Sequence, residues 1–72
     1  MSDPSKFLSG IRGERVVVKL HSGIEYKGRL QSIDSFMNIV LHDSSEHINN
    51  NLTHKYNDMF IRGNNVLYIS AD

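Results

Sequence analysis

The segment from Ile24 to Gln31 alternates apolar and polar residues without exception, and this pattern limits what the chain can fold into. Successive side chains of a β-strand point to opposite faces, so the alternation predicts a strand with one buried face and one solvated face. Gly28 lies in the middle of the segment. Because glycine weakens a strand interior, we expect it to mark a sharp bend of the kind that small barrels require.

Four more segments have the character of short strands. Residues 15–21 are rich in β-branched side chains, and Val16, Val18 and Leu20 share one face. A turn at Asp34–Ser35 precedes a strand with a core face, formed by Met37, Ile39 and Leu41. The last two strands are expected at residues 59–62 and 66–70, separated by a turn at residues 63–65.

Residues 42–58 form a polar segment that holds four of the chain's seven Asn residues. Asn tolerates positive φ, so Asn49–Asn50 and Asn57 are predicted turn positions where glycine would otherwise be needed. We interpret the segment as a long hairpin with extended arms at residues 46–48 and 53–56.

The first 13 residues have the signals of a short helix. Pro4 suits the first helical position after the capping residue Asp3, and Gly13 can end the helix in the left-handed conformation. The apolar stripe of this helix consists of Phe7, Leu8 and Ile11. The predicted fold is therefore mainly β: one N-terminal α-helix, then a five-stranded, strongly bent antiparallel sheet that forms a small open barrel with the helix over one end.

A chain of 72 residues with no cysteine and 39% apolar residues has a small core and no disulfide. The segment Val66–Ile69 has neither charge nor proline, so as an edge strand it invites pairing with another chain. We expect a barrel completed by neighbouring subunits. Neither a secretion signal nor a membrane span is recognisable, which favours a cytosolic or nuclear protein.

The charges exclude some functions. Eight Lys and Arg balance eight Asp and Glu, whereas proteins that hold a duplex by its phosphates are usually basic. Any nucleic-acid binding should therefore depend on base contacts. Paired carboxylates, phosphate loops and nucleophile motifs of recognisable spacing are missing from the sequence, so we predict that the chain is not an enzyme.

Two segments are more specific than these general patterns. The first is Asp34-Ser35-Phe36-Met37-Asn38, and the second is Ile61-Arg62-Gly63-Asn64-Asn65-Val66-Leu67-Tyr68-Ile69. Together with the shorter matches at Val17–Leu20, Ser22–Gly23 and Tyr26–Gly28, they resemble the two-part signature of the Sm/Lsm family, over residues 7–70. The F-type branch is the most similar. Arg62-Gly63-Asn64 and the end of the chain at Asp72 without an acidic tail favour an Sm-like (Lsm) protein over the F-type core Sm protein.

The resemblance implies one Sm-like domain over residues 1–72. Its parts would be the helix (1–13), the first motif (15–43), a variable loop region (44–58) and the second motif (59–70). It also implies a seven-membered ring of different Lsm subunits. The implied RNA is uridine-rich and single-stranded: the 3′ end of U6 snRNA in a nuclear ring that acts in splicing, or oligoadenylated or deadenylated mRNA in a cytoplasmic ring that acts in decapping and decay.

The resemblance also implies roles for individual residues. Phe36 would stack on a base, Asn38 would read the base edge, and Arg62 would pack over the other side of the base. Gly63 would allow close backbone approach, and Asp34 would orient the loop by hydrogen bonding to Asn38 or to backbone. The implied subunit interface consists of Val66, Leu67, Tyr68 and Ile69. No cofactor or metal is implied. Ser35 and Phe36 depart from the Gly and Tyr usual in the F-type branch, and the absent phenol hydroxyl would loosen base selectivity.

Three of these residues also have a purely structural interpretation. Phe36 could be a core aromatic, Asn38 could only stabilise the turn, and Arg62 could form a surface ion pair with Asp34 or Asp58.

The histidines of the polar segment suggest a metal site, but only weakly. His42, His47 and His54 lie near Asp43 and Glu46, and their spacing fits no compact metal motif.

A small barrel can also bind peptides, and this hypothesis belongs to a different functional class. It predicts a monomer that ignores RNA, whereas the resemblance predicts a ring that binds it. The isolated chain could also form a homo-oligomer.

Overall fold

The computed structural model describes residues 12–72, and within them five strands form one antiparallel sheet. The strands are β1 (Arg15–Leu20), β2 (Glu25–Ile33), β3 (Ile39–Ile48), β4 (Asn51–Ile61) and β5 (Val66–Ala71). A single turn of 3₁₀ helix, Gly63–Asn65, joins the last two strands. The five-stranded antiparallel sheet predicted from the sequence is confirmed. The predicted helix falls on residues 1–13, of which 1–11 lie outside the described residues, while Gly13 has the expected positive φ of +87°.

The order of strands in the sheet is β4-β3-β2-β1-β5. The two edges are therefore β4 and β5, and within residues 12–72 neither pairs with another strand on its outer side. The same part of the chain contains no helix that is long and apolar enough to cross a bilayer.

The core lies on one side of the bent sheet and is built from every strand. Four of the strands supply fully or nearly fully buried side chains: Val16, Val18, Leu30, Ile33, Ile39, Leu41 and Ile61. Six partly buried side chains pack around them: Leu20, Tyr26, Met37, Met59, Val66 and Ile69. The core faces predicted for the first, second and third strands are thus confirmed.

Gly28 occupies the bend expected of it, at an irregularity between β2 and β3. The pairing register shifts between Lys27 and Arg29, so Gly28 faces two residues of β3, Asp43 and Ser44. A Cβ atom on Gly28 would lie 3.0 Å from both Cα and Cβ of Ser44. Glycine therefore allows the two strands to approach closely at the bulge, where Asp43 takes a φ of +49°.

The polar segment 42–58 belongs to strands β3 and β4, which are longer than the predicted arms. Asn49 and Asn50 form the two-residue turn between them, with φ of +53° and +66° as expected. Positive φ at both central residues gives a hairpin turn whose twist matches that of the strands. The expectation for Asn57 is wrong, because this residue lies inside β4, and the positive φ is found at Asp43 of the neighbouring strand β3.

Candidate nucleic-acid interface

The loop between β2 and β3 is organised around the carboxylate of Asp34. Oδ1 of Asp34 accepts hydrogen bonds from the backbone N–H of Phe36 at 2.8 Å and of Asn38 at 2.9 Å. A backbone hydrogen bond from Met37 N–H to the Asp34 carbonyl, 3.0 Å, closes the turn. An Asp side chain at the start of a turn commonly binds the backbone in this way. These contacts are the geometry expected of a residue that orients the loop.

The amide side chain of Asn38 connects this loop to the loop between β4 and β5. Its Nδ2 donates to Oδ2 of Asp34 at 2.9 Å, and its Oδ1 accepts from the backbone N–H of Gly63 at 2.8 Å. These two contacts fix which end of the amide is the donor and which is the acceptor. Within residues 12–72, one N–H of Nδ2 and one lone pair of Oδ1 have no further partner. Asn38 does stabilise the turn, and it can also bind a ligand.

Gly63 is required by the close packing of the two loops. A Cβ atom at this position would lie 1.7 Å from the carbonyl oxygen of Phe36 and 2.9 Å from the carbonyl carbon of Met37. Real Cβ contacts are essentially never that short, so a side chain at residue 63 would push the loops apart. The close approach expected at Gly63 is thus made by another loop of the same chain.

Phe36 and Arg62 are both available at the surface of the paired loops. The side chain of Phe36 is 78% exposed, so it is not a core aromatic. Arg62 is exposed, and in residues 12–72 no carboxylate lies within 4.0 Å of it, which excludes the ion pair with Asp34 or Asp58. An exposed phenyl ring, an exposed guanidinium and an oriented amide are the groups that proteins use to stack on single-stranded bases and to bind their edges.

Met37 has a strained backbone that no sequence pattern indicated. Its φ is +66°, a conformation uncommon for a residue with a long side chain, and its side chain packs against the core. The neighbouring Phe36 points instead to the surface. The side chain of Met37 therefore holds the loop against the core, while the phenyl ring of Phe36 lies on the solvent-exposed side of the loop. The apolar spacing of Met37, Ile39 and Leu41 indicated the burial but not the left-handed backbone.

The predicted interface residues of β5 divide into two pairs. Leu67 and Tyr68 are 52% and 47% exposed, whereas Val66 and Ile69 are partly buried against the chain's own core. On the opposite edge, Phe60 of β4 is 64% exposed. Within the part of the chain that the structure describes, both edges therefore combine unpaired backbone groups with exposed apolar side chains, as expected of strands that pair with other subunits.

The histidines of the long hairpin bind carboxylates and a hydroxyl of the same hairpin. His42 Nδ1 lies 2.6 Å from Oδ1 of Asp58, and this contact, with the charge of Asp43, raises the pKa of His42. His47 lies 2.8 Å from the Ser45 hydroxyl. Over residues 12–72, no three side chains of the metal-ligating types come together.

A second cluster on the hairpin, centred on Glu46, was not predicted. Tyr26 donates to one oxygen of this carboxylate at 2.8 Å, and Thr53 donates to the other at 2.7 Å, with His54 Nδ1 at 3.1 Å. These contacts, that of Thr53 first, lower the pKa of Glu46, while burial and the carboxylate raise the pKa of Tyr26 to about 12. The cluster ties β2, β3 and β4 together. Its only sequence signal is that Tyr26 lies on the apolar face of a strictly alternating strand.

The pKa of Asp34 gives a direct test of the loop geometry. Its hydrogen bonds from Asn38, side chain first and then backbone, hold the pKa of the carboxyl below its ordinary value. Ionised Asp34 therefore stabilises the fold above the unfolded-state pKa, and this contribution is lost as the pH falls through the lower folded-state value. We expect Asn38→Ala to raise the pKa of Asp34, measured by NMR of its carboxyl carbon. An unchanged pKa in this variant would contradict the assigned contacts, and Asn64→Ala is the control.

Comparison with known proteins identifies the family to which the chain with these two loops belongs. The model of the LSM domain matches residues 6–71, which is most of the chain. The chain belongs to the LSM domain family. The resemblance seen in the sequence is thereby confirmed, and the paired loops of this LSM domain are the two motif segments that carried it.

Curated relatives have similar sequences over nearly the full LSM domain. The chain is 63% identical over 70 residues to a Coccidioides immitis protein named U6 snRNA-associated Sm-like protein LSm6, covering 97% of this chain and 88% of the relative. It is 55% identical over 68 residues to the Arabidopsis thaliana Sm-like protein LSM6A, covering 94% of this chain and 75% of the relative.

Solved structures of archaeal Sm proteins have the same fold. The Sm protein of Pyrococcus abyssii, solved in complex with a uridine heptamer, has a TM-score of 0.92 at 32% identity. The alignment covers 99% of this chain and all of that one. The SmAP1 heptamer of P. aerophilum has a TM-score of 0.89 at 36% identity, with 100% of this chain and 96% of that chain covered.

Proposed function

We propose that this LSM-domain chain is a non-catalytic subunit of a heteroheptameric Lsm ring that binds uridine-rich single-stranded RNA. The observation that carries the proposal is the exposed phenyl ring of Phe36 on a loop whose amide, Asn38, is fixed between Asp34 and Gly63. Phe36 stacks on one face of a base, Arg62 covers the other face, and the Asn38 amide binds the base edge with the N–H and the lone pair that Asp34 and Gly63 do not use. The heptamer structure and the uridine complex among its structural relatives support this assignment.

The small binding energy of a single pocket explains why a ring is needed. Stacking contributes about 1–3 kcal/mol per base, which is less than the roughly 4 kcal/mol of a millimolar complex. A chain with no net charge gains little from phosphates in addition. Several pockets joined in one assembly act at high effective concentration and give useful affinity. The exposed apolar side chains on the edges β4 and β5 provide the surfaces for joining the subunits.

The subunit is the counterpart of the LSm6 proteins to which it is similar. In a nuclear ring it binds the 3′ uridine tract of U6 snRNA and acts in pre-mRNA splicing. In a cytoplasmic ring it binds oligoadenylated or deadenylated mRNA and promotes decapping and decay. Sequencing the RNA that co-purifies with the chain distinguishes this function from that of an F-type core Sm protein. An F-type core Sm protein would co-purify with the other spliceosomal snRNAs.

The test of the proposal combines assembly with RNA binding. Light scattering after size exclusion should give a multi-subunit particle that binds fluorescent oligouridine. Leu67→Lys should impair its assembly, because this residue is exposed on the edge strand β5, whereas Gln31→Lys, exposed on the central strand β2, should not. Val66 and Ile69 are poorer positions for this test because they also pack against the core. A stable monomer that ignores oligouridine would instead indicate a protein-interaction module.

A further inference from the structure

His21 begins the tight turn between β1 and β2 and is exposed. Two backbone hydrogen bonds close this turn, Gly23 N–H to the Leu20 carbonyl at 3.0 Å and Leu20 N–H to the Ile24 carbonyl at 2.9 Å. Gly23 has a φ of +94°, which glycine adopts without strain. The backbone at His21 is therefore held firmly while its imidazole is in water.

The β1–β2 turn is bonded to the loop that carries Arg62 and Gly63. The backbone N–H of His21 donates to the carbonyl of Asn65 at 3.1 Å. Leu20, Arg62 and Asn65 also line one groove. Because Gly63 is in turn bonded to Asn38, hydrogen bonds connect three loops of the chain, and His21 lies on the first of them.

His21 differs from the other three histidines in its side-chain contacts. Each of the others has a hydrogen-bond partner on the long hairpin: His42 with Asp58, His47 with Ser45 and His54 with Glu46. The His21 side chain has neither a hydrogen bond nor an ion pair with any residue of 12–72. Within residues 12–72, it is therefore the one histidine whose imidazole is not hydrogen-bonded to another side chain.

The proposed RNA pocket leaves the phosphodiester group of the nucleotide without a partner. Phe36 and Arg62 occupy the two faces of the base and Asn38 its edge, so none of them is committed to the phosphodiester group. We propose that the imidazolium of His21 contacts the phosphodiester backbone of the bound RNA, so that RNA affinity increases as the solution becomes more acidic. This inference rests on the proposed function.

Several charged or titratable residues lie on the elements next to His21: Lys19, Glu25, Tyr26, Asp34, Asp58, Arg62 and Tyr68. Two of the three acidic ones, Asp34 and Asp58, are already engaged by Asn38 and His42. The third, Glu25, lies opposite Lys19 at the start of β2 and is the protein carboxylate with which a phosphate of the bound strand would compete for His21.

The test is a titration of fluorescent oligouridine against the assembled ring that contains this chain, between about pH 5.5 and pH 8. The parent ring should bind about two- to fivefold more tightly at the acidic end, as expected for one exposed ionic contact. His21→Gln should remove this difference. His21→Lys should keep the tighter binding at both ends. His47→Gln, which changes a histidine of the long hairpin, is the control and should behave like the parent.

The dependence on salt gives a second, independent measurement. At the acidic end, His21→Gln should reduce the slope of log affinity against log salt by about 0.7, the value for one phosphate contact of a single strand. Equal pH and salt dependence in the parent ring and in His21→Gln would overturn the inference but not the proposed function. A parent ring that binds no oligouridine at all would overturn both.

Discussion

Replacing Gly63 with alanine is expected to separate the two loops of the candidate interface and to abolish most RNA binding. The added Cβ would lie 1.7 Å from the carbonyl oxygen of Phe36, which is backbone and cannot rotate away. Overpacking of this kind costs about 1–3 kcal/mol of stability. The displacement would also break the hydrogen bond from Gly63 N–H to Asn38 and move the phenyl platform. Chemical denaturation and oligouridine titration of the ring measure the two effects.

The matched control for this variant is Asn64→Ala, which changes the next residue of the same 3₁₀ turn. Asn64 is exposed, so its truncation should leave both stability and RNA affinity near those of the parent. If Gly63→Ala also kept the parent's stability and affinity, the close packing of the loops could not be what positions the interface.

Replacing Phe36 with alanine should weaken RNA binding without unfolding the subunit. One lost stacking contact of about 1–3 kcal/mol corresponds to a roughly 5- to 150-fold loss of affinity. Because the side chain is 78% exposed, its removal leaves no cavity, and the free energy of unfolding should change little. Oligouridine titration and thermal denaturation of the same preparation separate the two quantities.

Two further variants sharpen this result. Ser35→Ala, at the neighbouring exposed position, should bind RNA like the parent. Phe36→Tyr keeps the ring and adds a hydroxyl, so it should retain the affinity of the parent. An intact ring whose Phe36→Ala variant binds oligouridine as tightly as the parent would remove Phe36 from the interface.

The alternating patterns of the sequence predicted the strands and the core because burial on one face of a sheet requires that pattern. Val16 and Val18 are fully buried, as are Ile39 and Leu41, and each pair has the spacing of two that the pattern gives. The turn at Asn49–Asn50 was predictable for a different reason, since Asn tolerates the positive φ that a two-residue hairpin needs.

The bulges could not be predicted from the alternation. In β2 the register shifts between Leu30 and Ser32, so that Gln31 is an extra residue and Ile33, three residues after Leu30, also faces the core. A strict period of two would bury Ser32 instead. Such bulges depend on how a strand pairs with its neighbouring strand, and the alternation of apolar and polar residues carries no information about that neighbour.

The candidate site was predictable in its residues but not in its internal contacts. The two motifs indicated Phe36 and Arg62, yet neither motif alone indicates that they belong to loops in van der Waals contact. The left-handed backbone of Met37 and the fit of Gly63 against Phe36 result from packing between segments distant in the sequence. The roles of these residues in binding RNA stay predictions until the variants are measured.

The amide of Asn38, held at both ends, has a thermodynamic consequence. A free Asn side chain on a loop samples several rotamers, and a ligand that selects one of them loses affinity to the entropy of ordering. Here the chain orders the side chain during its own folding, before any nucleotide arrives. The Asn38 amide is thus preorganised, and association with a flexible single strand has to order the strand and the exposed side chains of Phe36 and Arg62 but not this amide.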